Sequence, residues 1–307
     1  MDVQRFKVKG KHQLDLACIK VVPKKEPKAV IQIFHGMGEY KDRYIPFMTY
    51  LAENGYAAYA HDHRKHGESV EHEDDYGMWT KEDRFSDVID DCYFVTRKVL
   101  RDYPGTKIIV FGHSMGSIIA RSYISRYALV AKASIIMGTL PPMKSSNAFA
   151  PITLAKFART FKGKKRSDFL ANLLNKPMMK SYTEPRTNLD WLTRDETIVD
   201  QYIDDKLCGY AYTPQFYVEF FQEIVRVNKE KVLLDTKDNP ILFISGEADP
   251  VGDNGEGVKK VFHLYNAHGF TQLTLELVKE ARHEVLNELE NLTTYGFIKD
   301  WIAKNVG

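Results

Sequence analysis

The stretch Lys107-Ile-Ile-Val-Phe-Gly-His-Ser-Met-Gly-Ser-Ile-Ile-Ala-Arg-Ser-Tyr-Ile-Ser-Arg-Tyr127 decides how this chain is read. Its opening, Lys107–Phe111, is a short apolar run of the kind that fills a strand buried on both faces. Its close, Ser117–Tyr127, carries a helical pattern. Between them lies Gly112-His-Ser-Met-Gly116, a G-x-S-x-G sequence. Composition alone produces such a pattern in roughly one chain in ten of this length, so the motif by itself says little. Set between a strand and a helix it says more, because a sharp strand-to-helix turn is what lifts a serine hydroxyl clear of its backbone. The flanking glycines fit a strained turn with closely approaching backbones. The helix N-terminus behind Ser114 favours negative charge developing there.

Outward from this turn, similar apolar runs recur at Val30–Phe34, Tyr56–Ala60, Ala133–Met137, Pro240–Ser245 and Thr271–Leu277. Helical patterns separate them at about 45–54, 82–103, 116–127, 255–268 and 286–304. Alternating strands and helices predict an α/β fold with a mostly parallel sheet covered on both sides. Two leading runs, near Val3–Val8 and Leu14–Val22, predict an antiparallel pair at its edge, which brings the sheet to eight strands. One connection is out of scale. From Pro141 to Asn239 lie about a hundred residues, where a simple crossover needs only ~10–12. With its own helical patterns, this segment is expected to be an inserted cap. The predicted division is a core of residues 1–140 and 228–307 and a helical cap, or lid, of residues 141–227.

A serine nucleophile needs a base, and the base needs a carboxylate to orient it. Each is expected just after a late strand, acid first. Asp249 follows Ile241–Ser245 through Gly-Glu-Ala, and His283 follows Thr271–Val278 through a short loop. Asp253, four residues on, is the rival acid. His263 and His268 fall in or at the end of a helical stretch, where surface or capping roles fit better. Acyl transfer also requires donors for an oxyanion. The turn His35-Gly-Met-Gly38 after Val30–Phe34 supplies one, and the backbone N–H groups of Met37 and Met115 are the expected pair.

The remaining composition narrows the setting. The chain has 307 residues, 44% hydrophobic and 27% charged, which is enough to bury a large core. A net charge of +2 gives no sign of nucleic-acid binding. The three cysteines Cys18, Cys92 and Cys208 are far apart, which suits a reducing compartment rather than a disulfide framework. With no signal-peptide pattern and no apolar run of spanning length, a cytoplasmic protein is expected. Charge is nevertheless segregated. Ten acidic residues fall between Gly67 and Asp91, whereas Tyr103–Ser167 has eleven Lys or Arg and no acid. The run Lys162-Gly-Lys-Lys-Arg166 would attract an anionic lipid surface.

Taken together, His35-Gly-Met-Gly-Glu39 with Arg43-Tyr44, Asp62-His-Arg-Lys-His-Gly-Glu-Ser69, Gly112-His-Ser-Met-Gly116, Gly246-Glu-Ala-Asp249 and His283-Glu284 resemble the monoacylglycerol lipase and lysophospholipase group of α/β-hydrolases, a serine aminopeptidase-like branch. Trp191-Leu-Thr-Arg-Asp195 with Val199 and Tyr202 is similar to a cap pattern of that group. The resemblance spans about residues 14–305. It implies an α/β-hydrolase fold, a lid and esterase chemistry on a single acyl chain. It also implies Ser114, Asp249 and His283 as a triad and Met37 and Met115 as the oxyanion hole, without cofactor or metal. Lys65 and Ser117 depart from the pattern, where the group usually or frequently has glycine.

Three other readings compete. His61-Asp-His63-Arg-Lys-His66 matches the H-x-H-x-x-H of dinuclear zinc hydrolases, but zinc would want an acid where Lys65 stands. The expectation is instead that Asp62, Arg64 and His66 tie the loop together. The expected substrate is a monoacyl lipid ester, either monoacylglycerol or lysophospholipid. A small-molecule carboxylesterase and a proline iminopeptidase-like aminopeptidase are the alternatives. The last would need a carboxylate cluster for a substrate amine, drawn from Glu184, Asp190, Asp195, Glu196 and Asp204.

Overall fold

The computed structural model describes residues 2–162, 165–181 and 184–306. Eight strands form one sheet: β1 Val3–Lys9, β2 Asp15–Val21, β3 Val30–Phe34, β4 Ala57–His61, β5 Ile108–His113, β6 Ala131–Met137, β7 Ile241–Gly246 and β8 Leu273–Val278. Their order across the sheet is β1-β2-β4-β3-β5-β6-β7-β8. β1 and β2 pair antiparallel, as do β2 and β4, and all other neighbours are parallel. This is the α/β architecture expected above, with β3, β4, β5 and β7 buried along their whole length.

Buried on both faces, these strands need a cover on each, and the period-2 alternation of strand side chains divides their residues between two layers. On one face Ile31, Ile33, Phe111, Ile135, Leu242 and Ile244 meet α1 (Ile45–Glu53) and α10 (Asn291–Val306) through Phe47, Leu51, Ile298 and Trp301. On the other face Val110, Ile136 and Phe243 meet α2 (Phe85–Asp102), α3 (Met115–Arg126) and α9 (Glu256–Ala267) through Ile89, Ile118, Ile119, Val258 and Tyr265.

The long connection between β6 and β7 is largely helical among the described residues. It holds α4 (Ser145–Lys162), α5 (Asp168–Asn175), α6 (Glu196–Asp204), α7 (Pro214–Arg226) and α8 (Glu230–Leu234). Its aromatics fall into two sets. Phe216, Phe220 and Phe221 of α7 are buried against Trp79, Phe85 and the outer face of α2. Phe149, Phe157 and Phe161 of α4 are 71%, 62% and 73% exposed. The first set is core, and the second is an apolar stripe open to solvent. No helix among the described residues is long and apolar enough to cross a membrane. Gly163 and Lys164 of the basic run lie outside the described residues. Arg166 of that run is engaged, its guanidinium donating to the carbonyls of Glu73, Asp74 and Tyr76.

Candidate active site

Parallel strands bring the loops at their C-terminal ends to one edge of the sheet. There the turns after β3, β5, β7 and β8 meet. The turn after β5 is tight enough to force an unusual backbone. Ser114 has φ +54° and ψ −119°, a conformation that costs a non-glycine residue energy. The two glycines make it sterically feasible. A Cβ on Gly112 would stand 2.1 Å from the Gly116 carbonyl oxygen, and one on Gly116 would stand 2.0 Å from the Phe34 carbonyl oxygen. Ser117, one of the two departures from the group's pattern, is absorbed locally by donating its hydroxyl to the Ser114 carbonyl at 2.6 Å. Lys65, the other, stands at φ +66°, which explains why glycine is usual at that position.

Ser114 is half-buried and donates its N–H to the Met137 carbonyl at 3.0 Å. The next residue, Gly138, lies against the His283 ring, where a Cβ would come within 3.1 Å of Cε1. His283 Nδ1 is 3.0 Å from each carboxylate oxygen of Asp249. Asp249 is fully buried and also accepts from the Ser245 hydroxyl and the Val251 N–H, both at 2.9 Å. Burial pushes its carboxyl up. The pull of His283 and these hydrogen bonds outweigh burial and hold it below the usual carboxylate range. Asp253, by contrast, turns outward on an exposed loop and pairs with Lys260. The structure therefore pairs His283 with Asp249 and ties Ser114 to the segment Met137–Gly138 that lies against the His283 ring, whereas Asp253 pairs with Lys260 and His268 with the Leu264 carbonyl.

The turn after β3 abuts Ser114, since a Cβ on Gly36 would lie 3.3 Å from the serine Cβ. Its N–H groups are differently occupied. Gly36 donates to Glu39 Oε1 at 2.6 Å and Gly38 to the Tyr212 hydroxyl at 2.7 Å. Those of Met37 and Met115 have no protein acceptor among the described residues. Two backbone donors are thus left free beside the serine, as an oxyanion would require.

Beneath these residues lies a buried ionic cluster. Arg43 binds Glu284 with two hydrogen bonds, at 2.6 and 2.7 Å, and Glu39 at 3.1 Å. Glu39 Oε1 also accepts from the Tyr44 hydroxyl at 2.9 Å and faces His113 Nδ1 at 3.1 Å. His113 Nε2 faces the His283 carbonyl at 3.3 Å. Both nitrogens of His113 therefore meet acceptors. Burial opposes a charge on this ring, but Glu39 and then Glu284 raise its pKa. The ring ties the loop after β3 to the loop bearing His283 in one network.

The connection between β6 and β7 reaches the same place. The Tyr202 hydroxyl and the Gly209 N–H both donate to the Gly38 carbonyl, at 2.7 and 2.9 Å. Tyr212 accepts from Gly38 and donates to His66 Nε2 at 2.7 Å, and His66 Nδ1 in turn donates to the Arg64 carbonyl. Trp191 stands 5.3 Å from the His283 ring, and the segment around it is stitched to the histidine loop. His283 and Glu284 donate their N–H groups to Trp191 and Leu192 carbonyls, and Arg282 donates to those of Asp190 and Thr193. The expected role of the Asp62 loop also holds. Asp62 accepts from buried Lys41 and from Glu68 N–H, and Arg64 pairs with Asp91.

With this geometry in view, comparison with known proteins is informative. The serine aminopeptidase, S33 family matches residues 25–290. The chain belongs to this family. Human monoglyceride lipase is 28% identical over 304 residues, covering 94% of this chain and 87% of the relative. A Bacillus coagulans carboxyl esterase solved with glycerol superposes with a TM-score of 0.91 at 24% identity, covering all of both chains. A soluble variant of Saccharomyces cerevisiae monoglyceride lipase, solved with a substrate analog, gives 0.79 at 18%, covering 99% of this chain and 96% of that one. These two likenesses establish the α/β-hydrolase fold. Of the five carboxylates considered for an amine site, Glu184 and Asp204 are exposed and the other three are engaged. Asp190 is spent on Thr187 and the Arg186 N–H, Asp195 caps α6, and Glu196 pairs with Arg186.

Proposed function

We propose that this protein is a serine carboxylic-ester hydrolase that cleaves monoacylglycerols. The observation that carries this reading is the buried Asp249–His283 pair beside a serine held at positive φ, with two free backbone N–H groups next to it. The names of the relatives support the substrate class, and monoacylglycerol is favoured over lysophospholipid on that ground.

The reaction follows from the arrangement. Asp249 engages His283 Nδ1, which leaves Nε2 as the base for the Ser114 proton. The serine oxygen attacks the ester carbonyl, and the oxyanion that forms is received by the N–H groups of Met37 and Met115. The new imidazolium is stabilised by Asp249 and returns its proton to the departing glycerol oxygen. Water, deprotonated by His283, then attacks the acyl-enzyme and releases the fatty acid.

Residues 141–227 act as the cap, and a single covered slot accommodates one acyl chain. α4 presents Phe149, Phe157 and Phe161 beside exposed Lys156, with no acid in the helix, and meets an anionic lipid surface. The three unpaired, buried cysteines suit a cytoplasmic setting.

The test is a panel of monoolein, diolein, triolein, lysophosphatidylcholine, short- to long-chain p-nitrophenyl esters and proline p-nitroanilide. Monoolein should be the best lipid, with di- and triolein poor, and Ser114→Ala should lose turnover by several orders of magnitude. Best activity on acetyl or butyryl esters would make the protein a small-molecule esterase. Hydrolysis of the anilide alone would make it a peptidase. Turnover surviving Ser114→Ala would remove the serine mechanism.

A further inference from the structure

Four histidines crowd under the loop after β3, and they divide into two kinds. His35 and His66 have both ring nitrogens engaged. His35 Nδ1 bonds the Gly36 carbonyl and Nε2 accepts from His63 N–H, while His66 bonds Arg64 and Tyr212. His61 and His63 differ. His61 Nδ1 and both nitrogens of His63 have no partner among the described residues, although both side chains are wholly buried. Buried polar nitrogens are normally satisfied, and three unsatisfied ones in two neighbouring rings call for a ligand.

The third member of the group comes from another element. Cys92 of α2 places Sγ 3.8 Å from His61 Nε2, and one nitrogen of each histidine and this sulfur all lie within 4.8 Å of one another. The two imidazole rings are perpendicular, with centroids 4.8 Å apart. The supports are rigid. His61 ends β4, and Cys92 sits in a helix whose carbonyl at that residue accepts from Gln32 and Thr96.

We propose that His61, His63 and Cys92 form a binding site for a soft monovalent cation, of which Cu⁺ is the biological example. The donor set selects the ion. Two imidazoles and one thiolate suit a soft metal, and no carboxylate belongs to the group. Three ligands around one ion would stand ~3.6 Å apart at bond lengths near those of zinc with nitrogen and sulfur, so the 3.8 Å pair is nearly in place. Charge decides between valences. One thiolate neutralises a monovalent ion and leaves no net charge in a site walled by Phe34 and Tyr123. Zinc would leave a positive charge and ask for a fourth ligand. Binding exchanges the Cys92 S–H proton for the metal, the proton passing to solvent, with no change of oxidation state. The ion would fasten the end of β4 to α2, apart from Ser114 and His283.

The experiment is an anaerobic equilibrium titration of the whole protein with Cu⁺ held by a coloured competing chelator, repeated with Ag⁺ as a redox-inert probe. The wild type should withdraw one equivalent and gain thermal stability. Cys92→Ala should lose this site, with circular dichroism reporting whether it is folded. Cys18→Ala and Cys208→Ala should retain it. His61→Gln and His63→Gln should each weaken binding by roughly a hundredfold. The proposal is overturned if the wild type takes up no more metal than Cys92→Ala. It is equally overturned if the double histidine variant binds like the wild type, because the thiol alone would then be the ligand.

Discussion

Replacing Tyr212 with phenylalanine removes one oxygen from the centre of the molecule and keeps the ring, which stacks on Phe216 at 4.0 Å. That oxygen accepts from Gly38 N–H and donates to His66 Nε2, each at 2.7 Å, and all three residues are buried. The substitution strands one donor and one acceptor at ~1–3 kcal/mol apiece, a total of about 2–6 kcal/mol. The lower end is expected, because the Gly38 carbonyl is still held by Tyr202 and Gly209. Turnover should suffer as well, since Gly38 adjoins Met37. Outright loss of an oxyanion donor costs ~10²–10³ in kcat, so a misplaced one should cost roughly tenfold, with KM little changed. Urea midpoints and ester kinetics on Tyr212→Phe are the assay. If Tyr212→Phe unfolds at the wild-type midpoint and turns over at the wild-type rate, the cap tyrosine does not position the loop after β3.

Three further outcomes are expected. Asp249→Asn should lower kcat by about four orders of magnitude through loss of the imidazole tautomer, while Asp253→Asn should be nearly silent; the reverse pattern in ester kinetics would transfer the acid role to Asp253. Gly116→Ala should yield little folded protein, because its Cβ meets the Phe34 and His35 carbonyls, and a soluble variant with a wild-type melting temperature would contradict that contact. Acid should destabilise the fold from about pH 6.5 downward. Burial holds His61 down to about 3 and His66 down to about 4, with His35 and His63 also well below normal. The unfolded chain therefore binds protons that the native state refuses. Stability is complete above the unfolded value and falls as pH drops toward the native ones, by about 3 kcal/mol for His66 alone. His113 opposes this, its stabilisation being present in acid and lost as pH rises through its raised value. Urea midpoints that stay flat between pH 7 and 5 would show that the four histidines are not buried neutral.

What could be read from the sequence was whatever is local. The run Lys107–Tyr127 carries strand, turn and helix within one continuous stretch, and the glycine spacing states the steric need that the Gly116 contact with Phe34 makes explicit. Spacing after the strand put Asp249 ahead of Asp253, and the burial that physically separates the two is a tertiary property that order along the chain does not carry. The ionic cluster was out of reach for a different reason. Arg43 and Glu284 are 241 residues apart, and Gly38 and Tyr212 are 174 apart, so neither pairing leaves a periodic trace. The aromatics of the connection between β6 and β7 looked alike in sequence. Only the packing of α7 against α2 separates buried Phe216 from exposed Phe157.

The stitching of residues 190–194 to the histidine loop bears on how such a molecule can be re-engineered. Four backbone or guanidinium bonds, supplemented by Thr193 to the Asn287 carbonyl and Arg194 to Glu288, make this strip part of the floor rather than of the roof. A chimera that exchanged the whole insertion with a relative's would pull Trp191 away from His283 and unseat the base along with the cover. Splice points placed before Leu189 and after Asp195, leaving the strip with its native loop, would let the roof be traded without disturbing the chemistry beneath.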